Sequence, residues 1–264
     1  MFSFFKKNRP AKCPVDNETR QWLEASINLL FDIFKRDRLH EKKVMIPHHS
    51  DFPIRYDGTE LSALESLKIV CRQMDIPYDE IKIDFFTDGV SELDTGSPLN
   101  GGRIFLSSEG DKNTAGLYFG RDTDGLFHIA LERKKLNLPE NMVATLAHEL
   151  SHVKLLGENR IDENDEKLTD LTTILFGMGI FNANSAFQTY TTIDSHGWRK
   201  MGYLTQMEWG YALALVEYKK KQKDQAWLKY LSPNVRQDFL MGLKYLEENK
   251  TDTDEEMGKV VNFK

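Results

Sequence analysis

Two cysteines in 264 residues, Cys13 and Cys71, are too few for a disulfide framework. A reducing, cytoplasmic setting is the natural expectation. No apolar run reaches the roughly 18 residues that a membrane-spanning helix needs, so stable membrane insertion is not expected. Basic residues are in the minority, with 35 Lys and Arg against 41 Asp and Glu and a net charge of −6. Without a dense positive patch to displace counterions from phosphates, a general nucleic-acid binder is excluded. Internal repeats are also missing, which argues against a solenoid. At the N-terminus, Met1 to Arg9 sets its aromatics before its positive charges, and its apolar part is too short for a signal-peptide core.

What is present is a chain with 40% hydrophobic residues, enough to bury one substantial core. The expected organisation is a flexible tail over 1–13, one domain over 14–248 and a polar, mobile tail over 249–264. Within the domain, 14–135 reads as helices and a small sheet, and 136–248 as a helical half. Trp22, Leu23, Ile27, Leu30, Phe31 and Phe34 follow helical spacing between Pro14 and Arg38, with Asp16 as cap. A second helix opens at Asp57-Gly-Thr-Glu60 and runs to about Met74. Strands are expected at Ile81–Phe86, Gly101–Ser107, Ala115–Gly120 and Leu126–Leu131, the last two joined by the turn Asp122-Thr-Asp-Gly125. His48-His49 lies in a loop with no partner pattern and is read as packing. Further on, Ile174–Phe181 reads as a buried helix, Thr205-Gln-Met-Glu208 as a capping box, and Ser232-Pro233 as the start of a last helix ending near Glu248.

The segment Asn141–Lys154 carries His148-Glu149-Leu-Ser-His152 on a helical pattern. Histidines at i and i+4 lie about 40° apart around a helix, so both can reach one ion. With His148 at 0°, Val143, Leu146, Leu150 and Val153 fall between about 140° and 220°, using 100° per residue. The apolar stripe thus faces away from the histidines. Zinc suits neutral imidazoles and a three-ligand site that leaves a position for water, and Glu149 sits beside it as a general base. The next helix, Asn164–Phe176, adds Glu166 and Asp170 at the same spacing. One acid can complete the site and the other can hold a histidine tautomer. Asp162, Glu163 and Asp165 are neighbouring alternatives for the third ligand. Gly157 reads as a left-handed helix stop before a short return loop.

Over Asn141 to about Phe181, this combination of H-E-x-x-H with E-x-x-x-D on a second helix resembles the gluzincin group of zinc metallopeptidases. The metzincin pattern does not fit, because Leu155 and Glu158 stand where it requires Gly and His. The resemblance implies an α+β, zincin-like fold: a small mixed or antiparallel sheet followed by a metal-site helix pair. It implies one zinc per chain held by His148, His152 and Glu166, with Glu149 as general base and Asp170 behind a ligand. It also implies a peptide or protein substrate docked beside an edge strand. A donor for the developing oxyanion is expected from the loop Asp194–Tyr203, where His196, Arg199 and Tyr203 are the candidates. Two other readings compete: a zincin-like protein whose metal is structural or regulatory, and a metal-free helical interaction protein.

Overall fold

In the computed structural model, the described residues are 10–87, 91–94, 103–106, 116–191, 196–200, 202–221 and 224–249; the segments 91–94, 103–106, 187–191 and 196–200 are described by backbone only. The chain is a mixed α/β structure rich in helix, consistent with the α+β class.

Helix α1 spans Asn17–Phe34, and the Asp16 carboxylate accepts from the Thr19 amide to cap it. Its apolar residues Leu23, Ile27, Leu30 and Phe31 are fully buried. The helix expected to run to Arg38 instead breaks at Lys35, whose φ of 65° reverses the chain before a short α2 at Arg36–His40. Helix α3, Glu60–Gln73, is capped by the Thr59 side chain accepting from the Ser62 amide.

The strands are β1 (Ile81–Phe86), β2 (Ser91–Asp94), β3 (Arg103–Leu106), β4 (Gly116–Arg121) and β5 (Phe127–Glu132). Strands β2 and β3 pair with each other, while β5 lies between β1 and β4. β5 is parallel to β1, with Ile83 opposite Ile129, and antiparallel to β4, with Tyr118 opposite Ile129. The Asp122–Gly125 turn closes the β4–β5 hairpin as its sequence predicts: the Asp122 carboxylate accepts from the amides of Asp124 and Leu126. β5 is buried along its whole length, and β4 is an edge strand among the described residues.

Helix α4, Pro139–His152, is the centre of the molecule. Pro139 starts it, where a missing amide hydrogen costs nothing. Nearly every residue of α4 is then buried, since it packs on α3, β4, β5 and two later helices, α5 (Glu166–Leu175) and α6 (Gly179–Ser185). Burial on all sides fits its near-continuous run of Met, Val, Ala and Leu better than a surface stripe would.

Two expectations in this region need correction. Gly157 is not left-handed: the chain leaves α4 through a wide π turn, Val153–Gly157, and Asn159 takes the positive φ of 53°. Glycine is required at 157 by close approach, because a Cβ there would come within 2.4 Å of the Phe127 ring. Likewise Ile174–Phe181 is not one helix. It divides at Gly177, whose φ is +82° and whose absent Cβ leaves room for the Lys43 carbonyl oxygen.

Beyond α6 come a paired hairpin, β6 (Phe187–Thr191) and β7 (His196–Lys200), then α7 (Gln206–Lys220) and α8 (Pro233–Glu248). The Thr205–Glu208 capping box is formed at the start of α7, whereas Ser232 precedes α8 without a side-chain capping bond. One hydrophobic cluster joins Leu23 in α1 to Leu246 in α8. Among the described residues no helix is long and apolar enough to cross a membrane.

Candidate metal centre

Helices α4 and α5 meet across the face of α4 that carries the two histidines. Asp165 caps α5 by accepting from the Lys167 and Leu168 amides, which places Glu166 in the first helical position. Thr169 and Asp170 follow one turn later, on the face that meets α4 and behind the imidazole rings.

The Glu166 Oε2 atom lies 3.1 Å from His148 Nε2 and 3.5 Å from His152 Nε2. One donor atom from each of His148, His152 and Glu166 lies within 4.8 Å of the others, so the three form a group that could hold a metal ion. Ligands about 2.0–2.1 Å from a tetrahedral ion stand about 3.3 Å apart, and the two separations to Glu166 lie close to that edge length. Among the acids that competed for the third position, Asp165 is used as a helix cap, and Asp162 and Glu163 are exposed.

The far sides of both rings have partners. The Asp170 Oδ1 atom is 3.0 Å from His148 Nδ1. A carboxylate can only accept, so Nδ1 carries a hydrogen and Nε2 is left facing Glu166. The second Asp170 oxygen accepts from the amides of Tyr203 at 2.8 Å and Leu204 at 3.3 Å. This carboxylate is buried and fully satisfied, as its burial demands. For His152 the partner is Thr169. The Thr169 hydroxyl donates to the Asp165 carbonyl, so its oxygen is left to accept from His152 Nδ1 at 3.4 Å. Each imidazole is thereby held in the tautomer that turns Nε2 towards Glu166.

Charge is unevenly distributed here. Three carboxylates, Glu149, Glu166 and Asp170, surround two imidazoles. Burial alone would lower His148, but its hydrogen bonds to Asp170 and Glu166 outweigh that and raise it to about 10. The same bonds from His148 and His152 hold Glu166 far below the ordinary carboxylate range. In other words, a proton on His148 supplies positive charge where a cation would. Glu149 behaves differently. Burial raises its carboxyl, opposed by His148 and His152, and among the described residues no donor hydrogen-bonds it.

Aromatic rings flank the pair. Tyr118 of β4 stacks on His152 at 5.8 Å and 8°, and Tyr203 stacks on His148 at 6.2 Å and 17°. Tyr203 is half exposed and borders the His148 ring. His196 and Arg199 lie on β7, with side chains outside the described residues. Tyr118, Thr169 and Gly116 are additions that sequence reading did not single out. A Cβ at Gly116 would stand 2.6 Å from Thr145 and 2.9 Å from Glu149 Oε1, so the bare backbone of β4 is what leaves room for that carboxylate. For Thr169 a signal existed, since it stands three residues after Glu166, on the same face of α5. For Tyr118 no local pattern existed, because its contact depends on how the sheet docks on α4.

No family model, curated protein or solved structure matches this chain.

Proposed function

We propose that this protein is a zinc-dependent hydrolase of the gluzincin type with a zincin-like fold, acting on peptide bonds. The observation that carries this reading is the convergence of His148 Nε2, His152 Nε2 and Glu166 Oε2, with Asp170 and Thr169 fixing the rings from behind. Two neutral imidazoles and one carboxylate are the donor set of open, catalytic zinc sites, in contrast to the four protein ligands of structural ones.

Zinc, when bound, supplies Lewis acidity, polarising a carbonyl and acidifying water. The chain supplies the rest. Glu149 follows His148 directly, is buried and has no competing donor among the described residues; in this reading it takes a proton from the attacking water and returns it to the leaving amine. Burial makes it a better base than a solvated glutamate. The β4 edge passes directly over Glu149 at Gly116, which makes it the natural seat for an extended peptide joined by strand addition. Tyr203 is the described candidate for the oxyanion donor, with His196 an alternative on the adjoining hairpin. A reducing, cytoplasmic location accords with the free thiols of Cys13 and Cys71.

The test is digestion of a broad peptide library by zinc-loaded protein beside the Glu149→Gln variant. Cleavage by the first and none by the second is the expected result. Equal cleavage by both would remove Glu149 from the mechanism, and no cleavage by zinc-loaded protein would leave the centre without a peptidase role.

A further inference from the structure

The acid behind His148 is itself held, and by an unusual element. Asp170 belongs to α5, but two of its three hydrogen-bond donors are backbone amides of the turn Gly202–Leu204, more than thirty residues further along the chain. That turn is anchored at its far end: Leu204 is fully buried and Thr205 forms the capping box of α7. Gly202 has a φ of +83°, and a Cβ built on it would stand 3.1 Å from Asp170 Oδ2 and 3.6 Å from Oδ1. Two requirements therefore coincide at residue 202, a left-handed backbone and empty space against a carboxylate.

We infer that the Gly202–Leu204 turn is a positioning element for the metal ligand His148, acting through Asp170. This rests on the metal-site reading above. The two amides fix one carboxylate oxygen, and the other then has a single orientation in which to accept from His148 Nδ1. Because both oxygens accept, replacing the carboxylate by an amide leaves one face mismatched. A side chain at 202 would press on Oδ2 and move Oδ1 relative to the ring.

A matched pair of glycines separates this role from backbone strain. Gly125 has a φ of +80° with nothing among the described residues within 4 Å of its would-be Cβ, so Gly125→Ala serves as the control for the conformational penalty. Zinc affinity of the full chain would be measured by competition with a chromophoric chelator, beside the thermal stability of the metal-free protein. Gly202→Ala is expected to weaken zinc binding by about tenfold or more, as losses of partners behind a ligand do, and to shift the imidazole nitrogen resonances of His148. Gly125→Ala is expected to leave both unchanged while losing similar metal-free stability. If Gly202→Ala does not fold, Gly202→Asn replaces it against Gly125→Asn, since asparagine tolerates positive φ while still placing a Cβ on the carboxylate. Folded Gly202 variants with wild-type zinc affinity would overturn the clamp alone. A wild-type protein that takes up no zinc would overturn the metal-site reading and the clamp with it.

Discussion

Two buried polar clusters in this protein use the same kinds of group to opposite ends. Between α1 and α7, Arg20 donates to both oxygens of Glu24 and to Asn17, and the Tyr211 hydroxyl donates to Glu24 at 2.6 Å. Among the described residues a buried cation meets a buried anion, and their hydrogen bonds are turned towards each other. Between α4 and α5, three carboxylates meet two imidazoles, and the unshared Nε2 positions point with Glu166 at a common centre. Among the described residues the first cluster pairs its buried cation with a buried anion. In the second, the carboxylates raise a histidine that burial alone would lower, which offsets part of their negative charge, as a bound cation would. The first cluster thus holds a matched pair, while the second gathers donor atoms around a centre that could hold a cation.

Variants can break either side of this contrast. The largest effect is expected at the open cluster, where His148→Ala or His152→Ala should abolish zinc uptake measured by elemental analysis. Glu166→Ala should weaken uptake strongly, and retained stoichiometric zinc in that variant would return the third ligand to another acid. Glu149→Gln should keep the metal and lower turnover by about 10²–10⁴-fold, the usual range for a general base. At the closed cluster, Glu24→Ala leaves Arg20 buried without its main anion and should cost about 3–5 kcal/mol in denaturant unfolding. Its zinc affinity should stay at the wild-type value, and a change there would show that the two clusters are not independent. Asp170→Asn should reduce zinc affinity by about 10–100-fold.

The contrast is sharpened by a third buried acid that belongs to neither cluster. Glu217 on α7 is raised to about 7 by burial, opposed by Lys220 one turn on, and its Oε1 has no hydrogen-bond donor among the described residues. A carboxyl whose folded pKa lies above its ordinary 4.5 binds its proton more tightly when folded. Its burial therefore costs nothing below about pH 4.5, and the cost grows until it is complete above about pH 7. Glu217→Gln should thus raise stability more at pH 8 than at pH 5, by about 1–3 kcal/mol once Lys220 and residual solvation are discounted. Unfolding curves with an equal gain at both pH values would show that Glu217 is ionised throughout.

The two regions also differ in how far the chain announces them. Local signals were accurate where one residue decides the structure: Asp16 caps α1, Thr205 and Glu208 form their box, and the Asp122–Gly125 turn closes its hairpin. That His148, His152 and Glu166 come together, with Asp170 behind His148, was legible because i, i+4 spacing on two adjoining helices is a fixed geometric demand. Misreadings arose where tertiary contact overrides local preference. Gly157 looked like a helix stop, yet it is glycine because the Phe127 ring leaves no room for a Cβ. Gly177 sat inside an apolar helical pattern, yet the Lys43 carbonyl occupies the space its side chain would need. The Gly202 turn, Tyr118 over His152 and the parallel pairing of β1 with β5 join residues far apart in sequence, and no spacing rule reaches that distance.

The central claim is that the α4–α5 cluster is open to one cation, and zinc stoichiometry tests it most directly. Protein purified without chelator, then exposed to zinc and freed of excess, should carry one zinc per chain by elemental analysis. It should also unfold at a higher temperature, with a gain of about 2.7 kcal/mol when free zinc is a hundredfold above its dissociation constant. Protein that holds no stoichiometric zinc and shows no thermal shift would contradict the account, and the charge on His148 would then be the final occupant of the centre.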